Sequence, residues 1–243
     1  MSAPLEAPAT PWRPTAVQEV LGLWALGFLG IIVAFLVFGG GGVPKLVATV
    51  GFLYLPLIPM RWRGEDYRDY GLSLGRWRQD VRYFLGMSAV VLPLFLGLFA
   101  LWMEVLPLLP EGLARVLAPF RGEAHFVPRL PARFGEWVVD QLFVVALPEE
   151  FFYRGYMQTR LRDAWPGGRR VFGVRWGPAF WLTAVLFALG HLAIFQVWRL
   201  SVFFPALLFG WMRERTGSVV GAALFHAAAN LFMRFLEVSY FGG

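Results

Sequence analysis

Residues 17–39 read VQEVLGLWALGFLGIIVAFLVFG. A helix of about 20 mostly apolar residues crosses the ~30 Å hydrocarbon core of a bilayer. Six further apolar runs follow, at approximately 43–60, 84–108, 135–158, 178–197, 199–213 and 218–236; the second and sixth runs of the seven are short. Composition agrees with them. Of 243 residues 58% are apolar and 16% charged, with 24 phenylalanines and 11 tryptophans, where an ordinary soluble domain carries about 25% charged residues. That is more apolar surface than one soluble core of this length hides, and disorder, which needs low hydrophobicity, is excluded. The expected fold is all-α, a polytopic transmembrane helical bundle with about seven to eight spans. The eighth element is sought in 109–133, where Leu113, Val116, Leu117 and Phe120 lie among prolines and charges. An interfacial helix or re-entrant loop is expected there, and 61–82 is expected to be a loop.

Residues 1–16, with Pro4, Pro8, Pro11 and Pro14, read as an N-terminal cytoplasmic tail, and 17–243 as a single integral-membrane domain whose motif-bearing core is 135–236. No small-x-small cleavage site precedes Gly39, so the first span is expected to be an uncleaved anchor. The lack of cysteine excludes disulfides, thiolate metal sites, iron–sulfur clusters and a cysteine nucleophile. The net charge of +6 is carried almost wholly by arginine. With the N-terminus inside, the inner segments hold Arg13, Arg61, Arg63, Arg68, Arg76, Arg78, Arg82, Arg160, Arg162, Arg169, Arg170, Arg175, Arg213 and Arg215. The outer segments hold half as many basic residues, among them Lys45, Arg115, Arg129 and Arg199. This bias predicts a cytoplasmic N-terminus. No recognition helix or single-strand platform accompanies the charge, so the bilayer and not nucleic acid is the expected partner. Arginine replacing lysine suggests a GC-rich bacterial genome, hence the inner (cytoplasmic) membrane.

Ionisable groups inside spans are costly and mark function. The fourth run carries Ala146-Leu147-Pro148-Glu149-Glu150-Phe151-Phe152-Tyr153-Arg154-Gly155, the fifth Phe187-Ala188-Leu189-Gly190-His191, and the seventh His226-Ala227-Ala228-Ala229-Asn230. The third histidine, His125, falls in the long outer loop and is given no chemistry. At ~1.5 Å per residue, Glu149, His191 and His226 lie ~16, ~20 and ~14 Å from the cytoplasmic edge. Agreement within ~6 Å across three separate runs predicts one polar cluster. Glu150 and Arg154, four apart, share a face and can pair. Glu149 is turned about 100° away from Glu150. Pro148 has no N–H, so the carbonyl of Val144 loses its helical donor, and water is expected to enter beside Glu149. His226 and Asn230 can face one cavity, while Asp140 and Gln141 read as hydrated groups near the outer end of their span.

A carboxylate beside an imidazole in a poorly hydrated cavity can activate water as a general base. A second histidine and an amide can donate to the oxyanion of a tetrahedral intermediate. The set suits amide hydrolysis by direct attack of water. The chain has no His-Glu-x-x-His helix and no Gly-x-Ser-x-Gly elbow.

Glu149-Glu150-x-x-x-Arg154, then Phe187-x-x-x-His191, then His226-x-x-x-Asn230, with Gly155 and Leu161, resembles the motif set of the CAAX protease and bacteriocin-processing family, also called the Abi family. The resemblance covers roughly 140–232. It implies a glutamate-dependent intramembrane endopeptidase in which Glu149 is the general base and His191 helps bind and polarise the water. By the same resemblance His226 and Asn230 stabilise the oxyanion, Glu150 and Arg154 order the site, and no metal is required. The implied partner is a membrane-associated protein or peptide substrate. Two other readings remain open. One is a zinc metalloprotease with His191, His226 and Glu149 or Glu150 as ligands. The other is a non-catalytic membrane scaffold, immunity protein or transporter, since a polar cluster at mid-membrane also suits an ion path.

Overall fold

The computed structural model describes residues 15–117 and 126–242. The tail assigned to the cytoplasm, Arg13, Phe120 and His125 therefore lie outside the described residues, apart from the tail's last two positions. Every apolar run predicted from the sequence contains helix. Thr15 caps α1 (Ala16–Phe38) with a reciprocal Thr15–Gln18 capping box. α2 (Gly42–Tyr54) and α3 (Leu57–Arg63) follow, then α4 (Trp77–Val105) and the short α5 (Glu111–Leu117). α5 is the described part of the expected interfacial element. α3 and α4 both reach into the stretch expected to be a loop, up to Arg63 and from Trp77; two 3₁₀ turns, Tyr67–Tyr70 and Leu74–Arg76, lie between them.

Residues 134–164 form a single helical rod made of α6 (Phe134–Val139), a π stretch (Asp140–Ala146), α7 (Leu147–Glu150), a second π stretch (Phe151–Met157) and α8 (Gln158–Ala164). A two-stranded ribbon, unforeseen in the all-α reading, pairs β1 (Arg169–Val171) with β2 (Val174–Trp176) in antiparallel register. Its two-residue turn has positive φ at both Phe172 (47°) and Gly173 (78°), the geometry of a tight hairpin. The chain ends with α9 (Pro178–Gly190), α10 (Phe203–Thr216) and α11 (Val220–Phe241).

Apolar side chains cover the outside as well as the core. Leu26, Leu29, Val33, Leu36 and Val37 recur along one side of α1, each more than half exposed, and Val90, Leu94, Leu98 and Leu101 do the same on α4. An apolar stripe at helical spacing on the outside is a lipid-facing surface. The rod is enclosed instead, with every residue from Phe151 to Gln158 buried. Its core partners are Phe52, Met60, Phe187, Phe209, Met212 and Phe225. A helix buried on every side lies in the middle of a bundle. Gly155 permits one close approach, since a Cβ there would stand 2.9 Å from the carbonyl oxygen of Tyr70.

Among the described residues, three helices are long and apolar enough to cross a membrane: Ala16–Phe38, Gly42–Arg63 and Leu74–Leu108. The rod is long enough, but Asp140, Glu149, Glu150 and Arg154 lower its hydropathy. α9 and α10 have 13 and 14 residues, about 20 Å at the helical rise. They are shorter than the spans 178–197 and 199–213 expected from hydropathy, because the chain turns through 3₁₀ segments at His191–Ile194 and Val197–Val202. Apolar side chains in those turns extend the hydropathy without extending the helix.

Candidate active site

The site is built where the rod, α9, α10 and α11 meet. Glu149 and Glu150 occupy the one α-helical turn between two π stretches, and such widened turns are frequent at functional sites. Pro148 withholds the donor from Val144, as the sequence implies. That carbonyl finds a protein partner instead: the Thr49 hydroxyl of α2 donates to it at 2.7 Å. Thr49 Oγ1 also lies 2.8 Å from the Lys45 carbonyl oxygen, so one hydroxyl proton serves two acceptors.

Glu150 is fully buried and sits between two partners. Its Oε2 stands 3.3 Å from Arg154 Nε, which is the predicted pair. Its Oε1 lies 2.9 Å from His226 Nδ1, a contact the sequence did not reveal. Arg154 donates a hydrogen bond to the Ala206 carbonyl of α10 at 3.2 Å, and its guanidinium lies 4.1 Å from the Phe187 ring centroid. A buried charge needs this degree of compensation.

Glu149 points elsewhere, as the 100° offset requires. Its side chain is 17% exposed against 0% for Glu150. Its Oε2 has no hydrogen-bond partner and stands 3.9 Å from His226 Nε2. Of the two glutamates, Glu149 is the more exposed, although its Oε2 is itself buried.

The two histidines are held in defined tautomers. His191 Nδ1 lies 2.9 Å from the Phe187 carbonyl oxygen. A carbonyl only accepts, so Nδ1 carries the proton, and Nε2 of the neutral ring is a free acceptor. His226 Nδ1 faces a carboxylate that is itself paired with Arg154, so it donates in the same way. His226 can then donate from Nε2 only as the imidazolium. Its ring stacks on Phe209 with centroids 4.6 Å apart. Phe187 joins the cluster: its ring centroid is 4.7 Å from that of His191 and 5.9 Å from that of His226. His191 caps the C-terminal end of α9. Gly190 just before it packs against Tyr153, whose hydroxyl would stand 2.6 Å from any Cβ there.

Asn230 lies one turn beyond His226 on α11 and donates to Gln141 Oε1 at 2.9 Å. Gln141 Nε2 in turn donates to Asp140 Oδ2 at 3.1 Å, and Asp140 Oδ1 pairs with Lys45 Nζ at 2.7 Å. The reading of Asp140 and Gln141 as merely hydrated is therefore corrected. The structure thus brings together Glu149, Glu150, Arg154, His191 and His226, and attaches Asn230 to a separate polar chain. Arg199, on the turn after His191, adds a cation within electrostatic reach of Glu149 and His191. Sequence reasoning missed Gln141, Thr49, Phe209 and Arg199. Only Gln141 carried a signal, as an amide inside an apolar run.

Among the described residues no three His, Cys, Asp or Glu side chains are grouped as a metal ion would require.

Residues 134–232 match the family model described as type II CAAX prenyl endopeptidase Rce1-like. The matched segment contains every residue of the three motifs and bears out the resemblance drawn from them. It marks the chain as similar to a protease of the CAAX type, and the lipid-facing helices mark it as a membrane protein. No curated protein and no solved structure matches the chain.

Proposed function

We propose that this chain, carrying the Rce1-like family's pattern over 134–232, is a glutamate-dependent intramembrane endopeptidase that needs no metal. The observation that carries the reading is the division of labour between adjacent glutamates. Glu150 sits between Arg154 at 3.3 Å and His226 at 2.9 Å, whereas the ion-pair contact of Glu149 is the looser one to His226 at 3.9 Å.

A water between Glu149 and His191 can give one hydrogen bond to the carboxylate and one to the bare Nε2 of His191. Its oxygen lone pair then faces a scissile carbonyl. As the water oxygen attacks the carbonyl carbon, its proton passes to Glu149. The oxyanion accepts from the amide of Asn230 and from His226 as imidazolium, with Glu150 as its counterion. The C–N bond breaks, and the proton held by Glu149 moves to the leaving amine. The substrate is a membrane-associated protein or peptide, and by the family's name one ending in a prenylated cysteine followed by three residues. By the arginine bias the N-terminus faces the cytoplasm of a bacterial inner membrane.

Purified protein in bilayers, given a fluorogenic peptide of that kind, tests the reading. Glu149→Gln is expected to abolish cleavage at unchanged thermal stability, and activity is expected to survive chelators. Cleavage by Glu149→Gln at near-native rate refutes the assignment.

A further inference from the structure

The polar chain from Lys45 to Asn230 has a direction. Lysine only donates, and an ionised carboxylate only accepts. Asp140 therefore accepts on both oxygens, from Lys45 Nζ at 2.7 Å and from Gln141 Nε2 at 3.1 Å. That contact obliges the Gln141 amide to turn its nitrogen toward Asp140 and its oxygen toward α11. The oxygen in turn obliges Asn230 to present its nitrogen, at 2.9 Å. Neither amide could choose its orientation alone, since a flipped pair makes the same number of hydrogen bonds. The carboxylate at the start of the chain removes the choice.

We propose that Gln141 is a positioning residue, and that Lys45, Asp140 and Gln141 form a polarity relay fixing which end of the Asn230 amide serves the active site. One N–H of Asn230 Nδ2 is committed to Gln141, and the other is left as the donor to the oxyanion. The relay starts at the exposed end of α2, at Lys45, and ends beside the partly buried Asn230. This rests on the reading of Asn230 as an oxyanion donor. It adds residues from the outer rim that the motif set does not include.

The decisive experiment reverses the relay without breaking it. In the double variant Lys45→Glu/Asp140→Lys the ion pair is kept with its charges exchanged. A lysine at 140 donates to the Gln141 oxygen, which turns the Gln141 nitrogen toward Asn230 and inverts the amide there. The assay is cleavage of the prenylated fluorogenic peptide, with kcat and KM separated. The swapped variant and Gln141→Met are both expected to melt like the wild type and to lose roughly tenfold or more in kcat at little-changed KM. Complete removal of an oxyanion donor costs ~10²–10³-fold, which bounds the effect. In an Asn230→Ala background both changes are expected to be silent, because residues acting through one group are not additive. Wild-type kcat in the swapped variant overturns the relay, as does a full further loss in the Asn230→Ala background. A relay that fails while Glu149→Gln still abolishes cleavage leaves the protease reading intact. Cleavage independent of Glu149 removes both.

Discussion

Breaking the Glu150–Arg154 pair from either side is expected to cost far more than removing both charges. The side chains are 0% and 1% exposed with charged atoms 3.3 Å apart. Arg154→Leu leaves a buried carboxylate whose remaining partner is His226 at 2.9 Å. Glu150→Gln leaves a buried guanidinium held by one carbonyl at 3.2 Å and by the Phe187 ring. Orphaning one member of a buried pair costs ~3–5 kcal/mol, because the surviving charge keeps its desolvation penalty and loses its compensation. The retained His226 and Ala206 contacts place each single variant near the lower end, at ~3 kcal/mol. For a chain of this size ~1 kcal/mol moves Tm by ~2–4 °C, so each is expected to melt about 6–12 °C lower. The double variant Glu150→Gln/Arg154→Leu carries no orphaned charge. It is expected to fall well short of the summed losses, with a coupling of ~2–3 kcal/mol. Tryptophan fluorescence or circular dichroism of detergent-solubilised protein measures all four forms at one scan rate. Single variants that melt within about 2 °C of wild type, or a double variant equal to the sum, refute the claim that Glu150 is held by a buried charge pair.

Two further outcomes follow from the same structure. Thr49→Val removes the donor to Val144 and is expected to cost ~1–3 kcal/mol in thermal unfolding, with Thr49→Ser near wild type; an unchanged Thr49→Val means that water serves that carbonyl instead. Between the spans, burial and the hydrogen bond it gives Glu65 push the Tyr70 hydroxyl up to about 12. Its raised value favours the neutral form in the folded state. The contribution to stability is therefore complete below about pH 10, its ordinary value, and is lost as pH rises through about 12. The stability gap between wild type and Tyr70→Phe is expected to hold at neutral pH and close in alkali, and a gap independent of pH counts against it.

Much of the candidate site was legible in advance because its polar residues stand against an apolar background. Glu149, Glu150, Arg154, His191, His226 and Asn230 are conspicuous in apolar runs, and an offset of one residue already turns the two glutamates apart. The ends of α9 and α10 were not legible. Hydropathy sums composition and cannot see that His191 stops one helix and that 3₁₀ turns start the next. The β1–β2 ribbon escaped notice for the opposite reason, since three-residue strands carry too short a pattern to register.

What the sequence by itself determined is the medium and the inventory: apolar runs long enough for lipid, and the few polar groups that lipid tolerates only for a purpose. Hydrophobic transfer and helical periodicity are local properties, so both can be read along the chain. What only the tertiary structure decided is how those groups are partnered. Glu150 bonds His226 across 76 positions, Asn230 bonds Gln141 across 89, and Thr49 serves Val144 across 95. A hydrogen bond depends on distance and direction in space, and helix packing sets both.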